Sequence, residues 1–145
     1  MFKHILVATD GSPLSDKAAV GAVQLAKSMS ARLTAVTVSV PFHVFSADAE
    51  MLTDTEEVYK EHCKRQADKY LRVIQTAAES SGLGFEGIHA FHDHPYTAII
   101  DTANHKGCDV ICMASHGRRG ITALVLGSET MRVLTHSKIP VVVWR

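Results

Sequence analysis

The 145-residue sequence lacks the features that mark several common classes of protein. Its 15 basic and 15 acidic side chains cancel, so overall charge does not favour non-specific binding of nucleic acid or of a membrane surface. The pattern Gly-x-x-x-x-Gly-Lys-Ser/Thr is absent, which excludes the NTPases built on that loop. Only three cysteines occur, Cys63, Cys108 and Cys112, and an odd number argues against a disulfide framework. We expect buried, reduced thiols rather than a redox site.

The chain also begins without a long apolar run. Its first apolar segment, from Ile5 to Ala8, is too short for the core of a signal peptide or for a membrane span. We therefore expect a cytoplasmic protein with no membrane partner and, given the zero net charge, no nucleic-acid partner.

Strand patterns alternate with helix patterns along the whole chain. Short apolar or β-branched segments predict strands at residues 3–9, 33–40, 85–91, 109–114 and 139–144. Capping residues and apolar stripes predict helices that begin near residues 12, 54, 95 and 128, with Asp93-His94-Pro95 as the cap of the third. This alternation predicts a single α/β domain over residues 1–145, with a five-stranded parallel sheet and helices on both faces. The polar strand at 85–91 is expected near an edge, and the connection from Phe42 to Thr53 is unusually apolar for a loop.

A glycine loop follows the fourth predicted strand. The segment Ser115-His116-Gly117-Arg118-Arg119-Gly120 continues to Gly127-Ser128, where a new helix begins. Glycines allow the backbone to come close to a ligand, and the first N–H groups of a helix point outward without internal partners. We therefore predict that this loop binds the phosphates of a nucleotide.

A second polar segment, Thr9-Asp10-Gly11-Ser12, follows the first predicted strand. In open parallel sheets, ligands bind at the carboxyl ends of strands, where the strand order reverses. A sheet order of 3-2-1-4-5 would place the two segments side by side at that point. A carboxylate at Asp10 then suits a ribose hydroxyl or a magnesium ion.

Positive charge is concentrated near the predicted phosphate loop. The segment from Met113 to Arg145 contains one acidic residue, Glu129, and five basic residues: Arg118, Arg119, Arg132, Lys138 and Arg145. The neutral total conceals this local excess, which favours an anionic ligand.

These segments resemble the universal stress protein (UspA) family, in its ATP-binding branch. Gly117, nine residues and then Gly127-Ser128 match most of the family motif G-x-x-G-x9-G-[ST], and the opening Val-Ala-Thr-Asp-Gly-Ser and the closing Ile-Pro-Val-Val-Val are also similar. The resemblance covers essentially the whole chain. It implies a five-stranded α/β fold, ATP with Mg or Mn, an unidentified protein partner, and a homodimer paired through the last strand, Ile139 to Trp144.

The resemblance also assigns residues to the two ends of the nucleotide. Adenine and ribose would contact Ala8, Thr9, Asp10 and Val38, with Met113 and Ala114 lining the same crevice. The phosphates would be surrounded by Gly117, Gly127, Ser128, Glu129 and Thr130, with His116 and Arg118 in the same loop. Asp10 would reach a metal ion carried by ATP.

Two positions depart from the family motif. Ala114 stands where the motif has its first glycine, which matters if that backbone needs a positive φ angle. Glu129 places a carboxylate on the first turn of the phosphate helix, and we expect its side chain to point away from phosphate while its N–H makes the contact.

Two other groups of residues raise the questions of catalysis and of metal binding. Ser115 and His116 could form a nucleophile and a base, although neighbours on an extended chain point in opposite directions. His89, His92 and His94 crowd one strand end and could bind a metal, or could simply be a solvated edge.

Three functions fit the sequence. The first is an ATP-binding stress protein that acts as a dimer, with at most slow hydrolysis. The second is an enzyme, namely a slow ATPase or an adenylyl or phosphoryl transferase on the same fold. The third is a nucleotide-free dimerisation module, favoured if Ala114 or Glu129 closes the pocket.

Overall fold

The computed structural model describes residues 1–43, 53–117 and 126–145 of the chain. Its helices and strands, in chain order, are β1 (His4–Ala8), α1 (Pro13–Met29), β2 (Arg32–Ser39), α2 (Thr53–Ser80), β3 (Phe85–Phe91), α3 (Pro95–Lys106), β4 (Val110–Ala114), α4 (Ser128–His136) and β5 (Val141–Trp144). The sheet is parallel in the order β3-β2-β1-β4-β5. The predicted α/β fold and the order 3-2-1-4-5 are therefore confirmed.

The strand order reverses between β1 and β4, in the middle of the sheet. From β1 the chain proceeds outward to β2 and β3, whereas β4 pairs with the other side of β1 and is followed by β5. The polar strand β3 lies at one edge, as its sequence predicts, and β5 forms the other edge. The carboxyl ends of β1 and β4 consequently flank the point where this kind of sheet binds ligands.

Alternate residues of the central strands pack into two cores. Ile5 and Val7 face α1 and α2, while Leu6 and Ala8 face α3 and α4. Every residue of β1 and of β4 is buried, because helices cover both faces of the sheet. The continuous apolar sequence of these two strands is the direct consequence of that double coverage.

The three cysteines are buried and reduced, as predicted. Burial raises the pKa of the Cys108 thiol to about 11 and that of the Cys112 thiol to about 12. The thiolate, which is the reactive form, is therefore strongly disfavoured at both positions.

Helix α1 begins as its sequence predicts, but α3 does not. The Ser12 side chain accepts the Ser15 N–H at 3.2 Å, and Pro13 opens α1. At α3 the residue in the N-cap position is His94, and its side chain makes no capping hydrogen bond. The expectation that Asp93-His94-Pro95 caps this helix is wrong for the side chains, since the Glu129 carboxylate of α4 accepts the Tyr96 N–H instead.

The remaining boundaries agree with the sequence to within a few residues. Strand β5 begins at Val141 rather than at Ile139, although the Pro140 carbonyl already accepts the Ile111 N–H at 2.9 Å. Most of the apolar connection predicted from Phe42 to Thr53 lies outside the described residues. Across the described ranges, no helix has both the length and the apolar character that a membrane crossing requires.

Candidate functional site

The ends of β1 and β4 meet at Asp10 and Gly117. A Cβ atom built on Gly117 would lie 2.2 Å from Asp10 Oδ2, far inside van der Waals contact. The other carboxylate oxygen, Oδ1, accepts the Ser12 N–H at 3.0 Å and so holds the turn that leads into α1. A side chain at position 117 would therefore have to displace the Asp10 carboxylate. The two polar segments that follow β1 and β4 therefore lie against each other.

Hydrogen bonds fix the turn after β1. The Thr9 N–H donates to the Val36 carbonyl at 3.0 Å, and the buried Thr9 hydroxyl pairs with Ser15 Oγ at 3.1 Å. The Gly11 N–H in turn donates to Thr9 Oγ1 at 3.1 Å. The Thr9 hydroxyl and the Thr9 N–H thus both have structural roles in this turn.

An aromatic side chain that sequence reasoning missed covers this turn. Gly11 has φ +72°, and a Cβ atom there would lie 2.1 Å from the ring of Tyr70 on α2. Tyr70 lies within the long helix α2, and nothing in the sequence pattern of that helix indicates which residue reaches the loop after β1. The ring closes one side of the turn that carries Asp10.

Two hydrogen bonds connect the start of α4 to the end of β4. The Gly127 N–H donates to the Ser115 carbonyl at 2.7 Å, and Thr130 Oγ1 donates to the Ala114 carbonyl at 2.9 Å. The Ser115 N–H donates to the Trp144 carbonyl at 2.7 Å, which extends the connection to β5. The Thr130 hydroxyl, predicted as a possible phosphate contact, is therefore used to position α4.

The N-terminus of α4 opens beside the Asp10–Gly117 contact. Gly127 is its N-cap residue and packs against His116, so that a Cβ atom on Gly127 would lie 3.1 Å from the His116 Cα. A glycine cap offers no side chain to the N–H groups of the first turn. These groups and the helix dipole favour an anion at this position, next to the exposed Ser128.

The Glu129 side chain is turned toward α3. Its Oε2 accepts the Tyr96 N–H at 2.8 Å, and its Oε1 accepts a hydrogen bond from Arg132 at 3.2 Å. The carboxylate thus has two donors of its own and is held against the start of α3. Arg132 also lies 5.6 Å from the centre of the Tyr96 ring, so its positive charge interacts with that ring as well as with the Glu129 carboxylate.

Ser115 and His116 approach each other, contrary to the sequence-based expectation. Ser115 Oγ lies 3.1 Å from His116 Nδ1, because the chain bends after β4 and neighbouring side chains no longer alternate across a strand. Ser115 is buried and His116 is half-buried. At this distance a proton could pass between the Ser115 hydroxyl and the His116 ring.

The histidines near β3 make hydrogen bonds with different partners. His89 Nε2 lies 2.8 Å from Ser39 Oγ, and burial lowers the pKa of His89. His92 Nδ1 accepts the His94 N–H at 2.9 Å, with the two rings 6.0 Å apart. Within the described ranges, no group of three or more metal-binding side chains is arranged to hold an ion.

The other predicted site residues lie at the same edge of the sheet, with one exception. Ala8, Met113 and Ala114 are buried at the ends of β1 and β4, and Val38 is half-buried near the end of β2. Arg118 falls outside the described residues. The structure therefore brings together the strand ends from which both predicted halves of the site come.

Comparison with known proteins shows which family the chain resembles. The whole chain, residues 1–145, matches the universal stress protein family. The universal stress protein YxiE of Bacillus subtilis is 31% identical over 149 aligned positions, which cover all of both chains. The chain belongs to the universal stress protein family.

Solved structures of universal stress proteins share the fold. The structure of MJ0577 from Methanocaldococcus jannaschii has a TM-score of 0.80 at 24% identity, and the match covers 99% of this chain and 96% of that one. A universal stress protein crystallised in complex with cAMP has a TM-score of 0.69 at 25% identity, covering 98% and 96% of the two chains. At least one member with this fold therefore holds an adenine nucleotide.

The departure from the universal stress protein motif at Ala114 introduces no strain. Ala114 is the last residue of β4, pairs with Trp144 of β5, and is not among the described residues with positive φ. An extended backbone accepts alanine as readily as glycine. The methyl group of Ala114 is buried at the end of β4.

Proposed function

We propose that this universal stress protein binds ATP at the carboxyl ends of β1 and β4, and that it acts as a cytoplasmic, nucleotide-dependent homodimer with at most slow hydrolysis. One observation carries the proposal. The Asp10–Gly117 contact lies beside a helix N-terminus whose cap is a glycine packed on the backbone of His116. This arrangement combines close backbone approach with outward N–H groups, which is the combination that phosphate requires.

Each half of the site has a separate role in the proposal. Ala8, Val38 and Met113 provide apolar walls for adenine, while the Asp10 carboxylate takes a ribose hydroxyl or a Mg²⁺ or Mn²⁺ ion bound to the phosphates. The N–H groups at the start of α4 and the loop at Gly117 take the phosphate chain. The cAMP-bound relative supports an adenine nucleotide as the ligand class.

The proposed dimer uses β5. This strand lies at the edge of the sheet, and all four of its residues, including Trp144, are half-buried with no strand on their outer side in the described part of the chain. An apolar edge of this kind is covered most simply by the same strand of a second copy.

The contact between Ser115 and His116 favours one second candidate, a slow ATPase or a phosphoryl-transfer enzyme. A histidine 3.1 Å from a serine hydroxyl can accept its proton, which is the requirement for transfer to that hydroxyl. The proposal is preferred over a nucleotide-free module because the Glu129 carboxylate is engaged by the Tyr96 N–H of α3.

A direct experiment separates the candidates. One sample of the purified protein is denatured, and any released nucleotide is identified. A second sample, freed of nucleotide, is titrated with ATP and with cAMP in the presence of Mg²⁺. We expect ATP to bind with at most slow formation of ADP. Repeated turnovers at ordinary enzyme rates would favour the enzyme, and an empty protein with no affinity for either nucleotide would rule out the binding function.

A further inference from the structure

Helix α3 has one orphan N–H donor at its start. Pro95 occupies the first helical position and has no N–H, while the Thr97 and Ala98 N–H groups donate to the His94 carbonyl at 3.0 and 3.4 Å. The Tyr96 N–H remains, and the His94 side chain does not cap it. A helix start of this kind is stabilised by an acceptor from elsewhere, preferably an anionic one.

Glu129 supplies that acceptor from a different helix. Its Oε2 accepts the Tyr96 N–H at 2.8 Å, across 33 positions of sequence. Glu129 itself lies in the first turn of α4, one residue after Ser128. A single carboxylate therefore joins the N-termini of two helices, and both helix dipoles favour its charge.

Neighbouring side chains fix the orientation of this bridge. Arg132, one turn along α4, donates to Glu129 Oε1 at 3.2 Å and lies over the Tyr96 ring. The ring also packs on His136 near the end of α4, with centroids 5.1 Å apart. The ring of Tyr96 thus lies along one face of α4, and its backbone N–H holds the carboxylate at the start of that helix.

We infer that Glu129 is a positioning residue for phosphate binding, which it serves by fixing the first turn of α4 against α3. This inference rests on the proposed function. The Gly127 cap provides no side chain to hold the turn, so the turn is fixed by the Gly127 and Thr130 hydrogen bonds to β4 on one side and by Glu129 on the other. The same bridge keeps the negative charge of Glu129 away from the phosphates.

The inference predicts that a Glu129 substitution weakens ligands that carry phosphates and spares ligands that lack them. A ligand without phosphate contacts only the ends of β1, β2 and β4, whereas ATP also needs the start of α4. Glu129→Ala should therefore weaken ATP about tenfold and leave adenosine within twofold of its original affinity. Glu129→Gln keeps an oxygen acceptor for the Tyr96 N–H and should restore most of the ATP affinity.

The test is calorimetric titration of the full chain and its variants with ATP and with adenosine, supported by the ¹⁵N–¹H spectrum. Glu56→Ala is the matched control, since it removes a half-buried carboxylate and its ion pair with Lys60 on α2. We expect the control to change neither affinity. We also expect the Tyr96 amide signal to shift when ATP binds and to shift less when adenosine binds.

Three results would overturn the inference. Tighter ATP binding by both Glu129 variants would mean that the carboxylate acts by repelling phosphate. Equal weakening of ATP and adenosine would mean a purely structural role. Loss of ATP affinity in Glu129→Gln as large as in Glu129→Ala would remove the role of the hydrogen bond. Absence of ATP binding in the unaltered chain is a distinct result, since it would overturn the proposed function and this inference together.

Discussion

Asp10 and Gly117 come from opposite ends of the chain and are in contact at the site, where a Cβ atom on Gly117 would lie 2.2 Å from the Asp10 carboxylate. Gly117→Ala must therefore displace the carboxylate or the loop. We expect the affinity for ATP to fall at least tenfold in calorimetric titration, while the melting temperature changes by less than about 4 °C, because Gly117 is exposed and lies outside the core.

Gly84→Ala is the control for that change. A Cβ atom on Gly84 meets nothing within 4 Å, so this variant carries the same substitution into open space. We expect it to bind ATP normally. Equal affinities for all three proteins would mean that the Asp10–Gly117 contact does not belong to the ligand site.

The start of α4 allows a second test of the phosphate position. In Gly127→Val the branched side chain would press on the His116 backbone, since even a Cβ atom there lies 3.1 Å from the His116 Cα. We expect ATP binding to be lost while the chain remains folded, at a cost of about 1 kcal/mol for an unsuitable N-cap residue. Gly84→Val is the matched control, and unchanged ATP affinity in Gly127→Val would show that the phosphates lie elsewhere.

Most of the fold could be predicted from the sequence, because its signals are local. The fully buried strands β1 and β4 are continuous apolar segments, and Ser12-Pro13 specifies the start of α1. The sheet order followed from placing two polar strand ends at one site. These features need no knowledge of which side chains meet across the fold.

What the sequence could not predict depends on contacts between distant residues. The cap of α3 comes from Glu129 on α4, and the ring covering Gly11 comes from Tyr70 on α2. The approach of the neighbours Ser115 and His116 is a local exception, because it depends on a bend in the chain where the sequence indicates an extended segment. A pattern of residue types records none of these distances.

Gly21 and Trp144 provide a test of packing at the proposed dimer edge. A Cβ atom on Gly21, in the middle of α1, would lie 2.3 Å from the indole of Trp144. Alanine ordinarily stabilises a helix interior by about 0.5–1 kcal/mol relative to glycine, but overpacking against the indole costs about 1–3 kcal/mol. We expect Gly21→Ala to lower the free energy of unfolding by about 1 kcal/mol in urea titration.

The same substitution in a Trp144→Leu background isolates the contact. With the indole removed, the helix preference should dominate and Gly21→Ala should become neutral or stabilising. A stabilising effect of Gly21→Ala in the original chain would contradict the packing argument.

His4 makes the stability of the fold depend on pH. Its buried ring lies between Thr34 Oγ1, 2.8 Å from Nε2, and the Arg32 guanidinium, 3.2 Å from Nδ1. Because a guanidinium only donates, Nδ1 is the acceptor and Nε2 carries the proton of the neutral ring. Burial, and next the charge of Arg32, lower the pKa of His4, although a hydrogen bond with the Lys106 backbone and the charges of Asp109 and Glu86 oppose the shift.

The direction of that shift fixes the sign of the pH effect. Below about pH 6.5, the unfolded chain binds a proton at His4 that the folded chain still excludes, so the free energy of unfolding falls as the pH is lowered toward the folded-state pKa. We expect urea titrations to show lower stability at pH 5.5 than at pH 7.5. His4→Gln should cost about 1–3 kcal/mol at pH 7.5, because it disturbs a buried hydrogen-bonded pair, and its stability should fall less steeply between those two pH values. Since the other histidines are present in both proteins, the difference between the two slopes belongs to His4, and parallel slopes would assign the pH dependence to other groups.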